Sequence, residues 1–302
     1  MNVNITDVTL RDGGYRTNFN FSNQEIETIL SLLDASGAEY IEVGYRNGSL
    51  KPTQNMGAAG KCNKHYLKKC KGLIRRSKLT VMLHPNNVTR DDIKELADCG
   101  VDLVRICIIK NDYKNSMRFV DTVKEYGLSV SANITRVSQY TQKELDTSLF
   151  VLNEHDIDMI YLADSNGSMF PEEVESIYKI YTQKYHVPMG FHAHDNLGLA
   201  QANSLAAIKS GAQYIDTSLS GFGKGIGNLR MELFASYLNA VNIKKYDIEN
   251  ILIAANFVRN EMIGRHNITM NELLMGINNL SIDEIQKYRK VTTKSLSHAI
   301  WL

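Results

Sequence analysis

Polar and apolar positions follow two alternating periods along the first four-fifths of the chain. Short runs rich in β-branched and other apolar residues fall near 4–9, 39–44, 79–83, 102–108, 128–132, 158–163, 188–193 and 213–218. Their length and composition predict strands. Between them apolar residues recur at helical spacing, as in Ile26, Ile29, Leu30 and Leu33. Residues of that spacing share one helix face. Helix starts are marked by the capping boxes Ser22–Glu25 and Thr141–Glu144. Asp91 and Asp92 lead the stretch with Ile93, Leu96 and Ala97, where the helix dipole favours acids. Helix stops are marked by glycines just before the next apolar run, as at Gly37, Gly100, Gly127 and Gly211. The likeness of residues 36–42 to 210–216 suggests one strand–helix unit used repeatedly.

Eight strands alternating with helices in about 240 residues predict an α/β fold, a (β/α)8 TIM barrel. An open doubly wound sheet is the competitor, but no Gly-rich dinucleotide loop follows the first strand. The barrel domain is expected over residues 1–240. A small C-terminal helical extension is expected over 241–302, with helices at Asp247–Val258, Thr269–Gly276 and Ser281–Tyr288. It would pack on the barrel or form a subunit contact, and its apolar content points to a homodimer.

Composition narrows the function classes. With 302 residues, 43% hydrophobic and 22% charged, the chain is an ordinary globular one. A net charge of +1 lacks the basic excess of a general nucleic-acid binder. No apolar run approaches the roughly 20 residues a membrane span needs, and the N-terminus carries no signal-peptide pattern. Cys62, Cys70, Cys99 and Cys107 form no metal-type pair and read as buried small hydrophobes in a reducing cytoplasm.

In a TIM barrel, chemistry sits at the carboxyl ends of the strands. Strand one is read to end in Thr9-Leu10-Arg11-Asp12-Gly13-Gly14, where Asp12 can bind a cation and Arg11 an anion. A surface turn with a local ion pair is the plainer alternative. Strand seven ends in His192-Ala193-His194-Asp195-Asn196, and side chains two apart on a strand share a face. Strands one and seven lie two apart around a closed barrel, so two imidazoles and one carboxylate can share a metal with positions left open. The Gly-rich loop at 220–228 follows strand eight; Asn228 either caps the next helix or offers an oxygen to the metal. Glu42 ends strand two and needs a partner inside the mouth, for which Arg11 is the obvious choice. His84, Asn133, Asp164 and Ser165 follow strands three, five and six and are substrate-binding candidates by position.

These motifs together resemble the DRE-TIM metallolyases, with Thr9–Gly13, Glu42, His192-Ala193-His194 and Gly227-Asn228 carrying the likeness over roughly residues 4–240. Tyr161–Ser165, His192–Leu197 and Asp216–Gly221 are most similar to the 4-hydroxy-2-oxovalerate aldolase branch. The resemblance implies a divalent metal, Mn²⁺ first with Mg²⁺ or Zn²⁺ as alternatives, on Asp12, His192 and His194, with Asn228 adding an oxygen. It implies cleavage or formation of a C–C bond through the enolate of a 2-oxo acid such as pyruvate, with an aldehyde as second substrate. Arg11 would stabilise the enolate oxygen, and Glu42 would orient Arg11.

The chain also departs from the pattern. Tyr15 stands where the aldolase branch has a proton-transferring His, and a phenol has a reference pKa of about 10. Residues 217–228 hold no Cys, which argues against the lyase branch. The C-terminal helices do not match the segment with which that branch docks an aldehyde dehydrogenase, so that partner is in doubt. A Claisen-type synthase joining an acyl-CoA to a 2-oxo acid is the enzymatic alternative, and a non-catalytic binding barrel is the other. Residues 61–78 hold a run of basic side chains, of which Lys61, Lys64 and His65 are nearest the mouth. The polar stretch Tyr45–Gly60 is read as a substrate-selecting lid.

Overall fold

A computed structural model describes residues 3–49, 55–243, 245–263 and 269–288. Eight strands run Asn4–Asp7 (β1), Tyr40–Arg46 (β2), Lys78–Leu83 (β3), Leu103–Ile108 (β4), Ser129–Ile134 (β5), Met159–Asp164 (β6), Met189–Ala193 (β7) and Tyr214–Thr217 (β8). They pair in parallel, each with its sequence neighbours, and β8 pairs with β1 to close the barrel. This is the (β/α)8 arrangement that the alternating periods predict. The capping boxes at Ser22–Glu25 and Thr141–Glu144 form as read, each closed in both directions. No helix among the described residues is long and apolar enough to cross a membrane.

Two local differences shape the site. β1 stops at Asp7, and Thr9–Asp12 coil into a helical turn instead of extending the strand. Asp7 causes the break: its carboxylate accepts the Thr9 amide at 3.0 Å and the Thr9 hydroxyl at 2.8 Å, an Asx-type turn. Arg11 and Asp12 therefore approach the barrel axis from a turn lying across the rim. β2 runs on past Glu42 through Tyr45 and Arg46, with a register shift against β3 between Glu42 and Tyr45. Gly44 makes that shift workable, since a Cβ there would lie 1.8 Å from the Ala59 carbonyl oxygen. The two ends of the expected lid are thus strand, at Tyr45 and Arg46, and the helical turn Ala58–Lys61 packed on it, and residues 50–54 lie outside the described residues.

The barrel interior is layered. At the amino end Tyr40, Leu103, Met159 and Tyr161 form a small apolar cluster. Above it lies an ionisable layer of Asp7, Glu42, Arg105 and Asp216, all essentially without solvent exposure. Arg105 stacks on Tyr161 at 4.2 Å from the ring centroid and donates to Glu42 at 3.1 Å and Asp216 at 2.8 Å. A buried cation needs such partners on every side, because leaving one out strands a charge.

The C-terminal helices occupy two places. Ile248–Val258 packs against helices Asn23–Ser36 and Met231–Ala240 in the outer ring. Met270–Ile277 and the helical residues 282–288 instead lie over the carboxyl-end rim. Asn279 pins them there: its side chain accepts from Ser138, Asn166 and Ser168 and donates to the Ser138 carbonyl.

Candidate active site

Three ligand-type side chains meet at the carboxyl rim. Asp12, His192 and His194 are buried and each offers a ligand atom within 4.8 Å of the others. The two imidazoles stand nearly perpendicular, 5.0 Å between ring centroids. His194 Nε2 lies 3.8 Å from Asp12 Oδ2. Asp216, which opens the Asp216–Gly221 segment but has no site role in the sequence reading, holds His192 from behind, with Oδ2 3.0 Å from Nδ1. With the Asp216 carboxylate accepting, the proton lies on Nδ1 and Nε2 is left with a free lone pair.

Asn228 serves the same carboxylate. Its Nδ2 donates to Asp12 Oδ2 at 2.8 Å, while its Oδ1 is buried without a partner. An orphaned buried oxygen beside two imidazoles and a carboxylate suits a hard or borderline divalent cation, and this donor set fits such an ion. The close approach depends on Gly223, where a Cβ would lie 2.6 Å from Asn228 Nδ2 and 2.8 Å from Asp12 Oδ2.

Arg11 bridges this triad to the ionisable layer. Its Nη1 donates to Asp12 Oδ1 at 2.5 Å and its Nε to Glu42 Oε2 at 2.6 Å. Glu42 lies beneath the cavity within β2 and is shared between Arg11 and Arg105.

A sequence model of the HMGL-like family matches residues 2–258 of the chain. The chain belongs to the HMGL-like family. It is an enzyme of that family's carbon–carbon lyase type. A 4-hydroxy-2-oxovalerate aldolase of Moorella thermoacetica is 31% identical over 90% of this chain and 81% of its own length. An oxaloacetate decarboxylase of Mycobacterium tuberculosis is 28% identical, over 98% of this chain and 89% of its own. Among solved structures, the N-terminal domain of a Bacteroides vulgatus protein provisionally classed as an aldolase superposes with a TM-score of 0.85. That match is 30% identical and covers 98% of this chain and all of that domain. The carboxyl transferase domain of Rhizobium etli pyruvate carboxylase shares the fold alone, at a TM-score of 0.73 and 18% identity over 85% of this chain and 47% of that one.

The HMGL-like site opens on a cavity of about 100 Å³. Arg11, Asp12, Tyr15, His84, Asn133, Ser165, His192 and His194 line it, together with Tyr45 from the expected lid, Lys224 from the Gly-rich loop, and Cys107 and Arg136, which have no site role in the sequence reading. Asn133 places its amide between Ser131 Oγ and the Arg105 guanidinium, each at 2.7 Å. Ser165 spends its hydroxyl on the backbone amide of Arg136 at 3.0 Å. Asp164 does not reach the cavity: its carboxylate accepts the amides of Ser168 and Met169, both at 3.1 Å, and shapes the loop. Lys61, Lys64 and His65 also lie outside the lining.

Burial and charge set the protonation states. Burial alone would raise the Asp12 pKa, but Arg11 and the two histidines overcome it and hold the carboxyl below its usual range. Burial lowers His194 to about 3, so the imidazole is neutral and ready to ligate. Burial, with Arg11 and Lys224 nearby, lowers His84 to about 4. Tyr15 hydrogen-bonds to the Tyr45 hydroxyl at 3.2 Å, and burial pushes its pKa up, so the phenol keeps its proton.

Proposed function

We propose that this protein is a divalent-metal-dependent aldolase acting on pyruvate or a similar 2-oxo acid. The observation that carries the reading is the convergence of Asp12, His192 and His194 beside Arg11 on the open rim of the barrel. Asp12, His192 and His194 would hold the ion, with Asn228 Oδ1 as a further donor. A divalent ion, Mn²⁺ first and Mg²⁺ or Zn²⁺ otherwise, would supply Lewis-acid polarisation of the 2-oxo acid.

The chain's own groups account for the rest. Arg11, held by Glu42 and Asp12, has further N–H groups to stabilise an oxygen on which negative charge develops. In the condensing direction the 2-oxo acid's methyl carbon gives a proton to water and its electron pair attacks the aldehyde carbon, whose C=O π pair moves onto the oxygen. The new C–C bond leaves an alkoxide that takes up a proton, and cleavage is the reverse. A protonated Tyr15 on the cavity wall supports its role as donor to that alkoxide. Asn133, Ser165 and His84 are proposed to contact substrate, while Asp164 is proposed to support the loop.

The likeness to an oxaloacetate decarboxylase over nearly the whole chain favours a second reading, loss of CO₂ from a 2-oxo dicarboxylate through the same enolate. Buried free cysteines support a reducing, cytoplasmic setting. The exposed apolar Leu252, Ile253, Met270 and Ile277 support a homodimer.

Following the methyl protons of pyruvate by NMR in D₂O tests the reading. Mn²⁺-dependent exchange that is lost in Asp12→Asn, with folding retained, is expected. No exchange in the Mn²⁺-loaded wild type would overturn pyruvate enolisation.

A further inference from the structure

Taking the aldolase reading as its basis, we propose that Lys224 and Arg136 form an anion subsite and that the aldehyde substrate carries a carboxylate or a phosphate bound there.

Both residues line the same cavity as Arg11, Asp12 and the two histidines, Arg136 from the loop after β5 and Lys224 from the loop after β8. They differ from the other barrel cations in having no counter-ion in contact among the described residues. Arg11 is matched by Asp12 and Glu42, and Arg105 by Glu42 and Asp216. Among the described residues, neither Lys224 nor Arg136 meets a carboxylate within 4.0 Å. The ammonium group of Lys224 instead sits 5.1 Å from the centre of the Tyr15 ring. Asp12 and, from the helical residues over the rim, Asp283 act on Lys224, and Glu284 on Arg136, only through longer-range attraction.

The backbone under each cation is held in place. Arg16 donates to the carbonyls of Gly223 at 2.7 Å and Gly225 at 2.6 Å, on either side of Lys224. The Lys224 amide itself donates to Asp12 Oδ2 at 3.1 Å. Arg136 has a φ of +57°, a left-handed conformation that a side-chain-bearing residue adopts only under constraint. Such strain at a cavity wall is accounted for if it aims the guanidinium at a ligand.

Two half-buried like charges facing one small cavity repel each other. An anion between them removes that repulsion and gains charge-assisted hydrogen bonds from an Arg fork and a Lys point charge. On the aldolase reading the 2-oxo acid's own carboxylate is met by the ion proposed at Asp12, His192 and His194 and by Arg11. The second anion therefore falls on the aldehyde fragment. A neutral aldehyde of the same size would leave both cations unmatched.

The test pairs acceptors that differ in charge, with pyruvate as donor and the Mn²⁺-loaded full chain as enzyme. Succinic semialdehyde is set against butanal for a carboxylate, and glyceraldehyde 3-phosphate against glyceraldehyde for a phosphate. At least one anionic acceptor is expected to exceed its neutral partner in kcat/KM by tenfold or more, and the pair that does so identifies the anion. Lys224→Met and Arg136→Gln, checked for folding by circular dichroism, are expected to bring that ratio towards one, chiefly through KM. Lys224→Arg is expected to keep most of it. Pyruvate proton exchange in the wild type with equal or better use of neutral aldehydes would overturn the subsite and leave the aldolase reading standing. Absence of exchange would overturn both. A charge preference that survives both substitutions would place the anion elsewhere and overturn the assignment to these residues.

Discussion

His192 Nδ1 lies 3.0 Å from Asp216 Oδ2, and the same oxygen accepts the Arg105 guanidinium at 2.8 Å. One buried carboxylate oxygen therefore sets the tautomer of a candidate metal ligand and neutralises the cation at the centre of the barrel. The candidate metal site is thereby coupled to the core.

Asp216→Asn tests this coupling directly. An amide cannot hold both donors equally well, so His192 loses its fixed orientation. Mn²⁺ affinity is expected to fall about 10- to 100-fold, the usual effect of removing such a partner. A Mn²⁺ titration followed by electron paramagnetic resonance measures it, and an unchanged affinity would show that Asp216 does not orient the ligand.

Arg105→Met addresses the core side of the same pair. The substitution leaves Glu42 and Asp216 buried without their shared cation. A loss of about 3–5 kcal/mol in unfolding free energy is expected, read from urea denaturation. A loss under about 1 kcal/mol would mean that the two acids find other partners or take up protons at little cost.

Tyr15→Phe removes the hydroxyl proposed to give up a proton. Turnover with the preferred aldehyde is expected to drop by about 10²-fold or more, with Mn²⁺ affinity retained. The lost bond to Tyr45 costs about 1 kcal/mol of stability. An unchanged kcat would dismiss Tyr15 as the proton donor and return attention to His84, whose Nδ1 is buried without a partner.

Asp7 predicts a pH dependence of stability. Burial raises its pKa from 3.8 to about 7, although the two bonds from Thr9 oppose the rise. Between these values the folded state holds a proton that the unfolded state has released. Stability contributed by this group is therefore full below about pH 4, falls as pH rises towards 7, and is level above that. Asp7→Asn should remove this slope. Urea midpoints of the two proteins at pH 5 and pH 8 check it: the wild type is expected to lose more ground than the variant at the higher pH. Parallel changes would show that Asp7 is not protonated in the fold.

Most of the architecture was legible in the chain because it is written locally. Strand and helix periods, the Ser22–Glu25 and Thr141–Glu144 boxes and the glycine stops each act within a few residues, and the closed barrel follows from their repetition. Asp12, His192, His194 and Arg11 were legible because each pair falls in a short motif at a strand end. The turn at Thr9–Asp12 was misread as strand because the apolar pattern runs past Asp7, whose carboxylate stops it through side-chain bonds.

Arg105 shows what local pattern cannot contain. In Leu-Val-Arg-Ile-Cys-Ile it reads as a charge interrupting an apolar strand. Its partners Glu42 and Asp216 lie 63 and 111 residues away. Lys224 and Arg136 are likewise ordinary loop cations until two different loops turn them into one cavity. The sequence by itself determined the elements, their order and the short motifs that carry Asp12, His192 and His194, since backbone hydrogen bonding and side-chain period operate over a few residues. Only closure of the barrel decided which charges face one another, because Coulomb interactions depend on distance in space and on the water that folding removes.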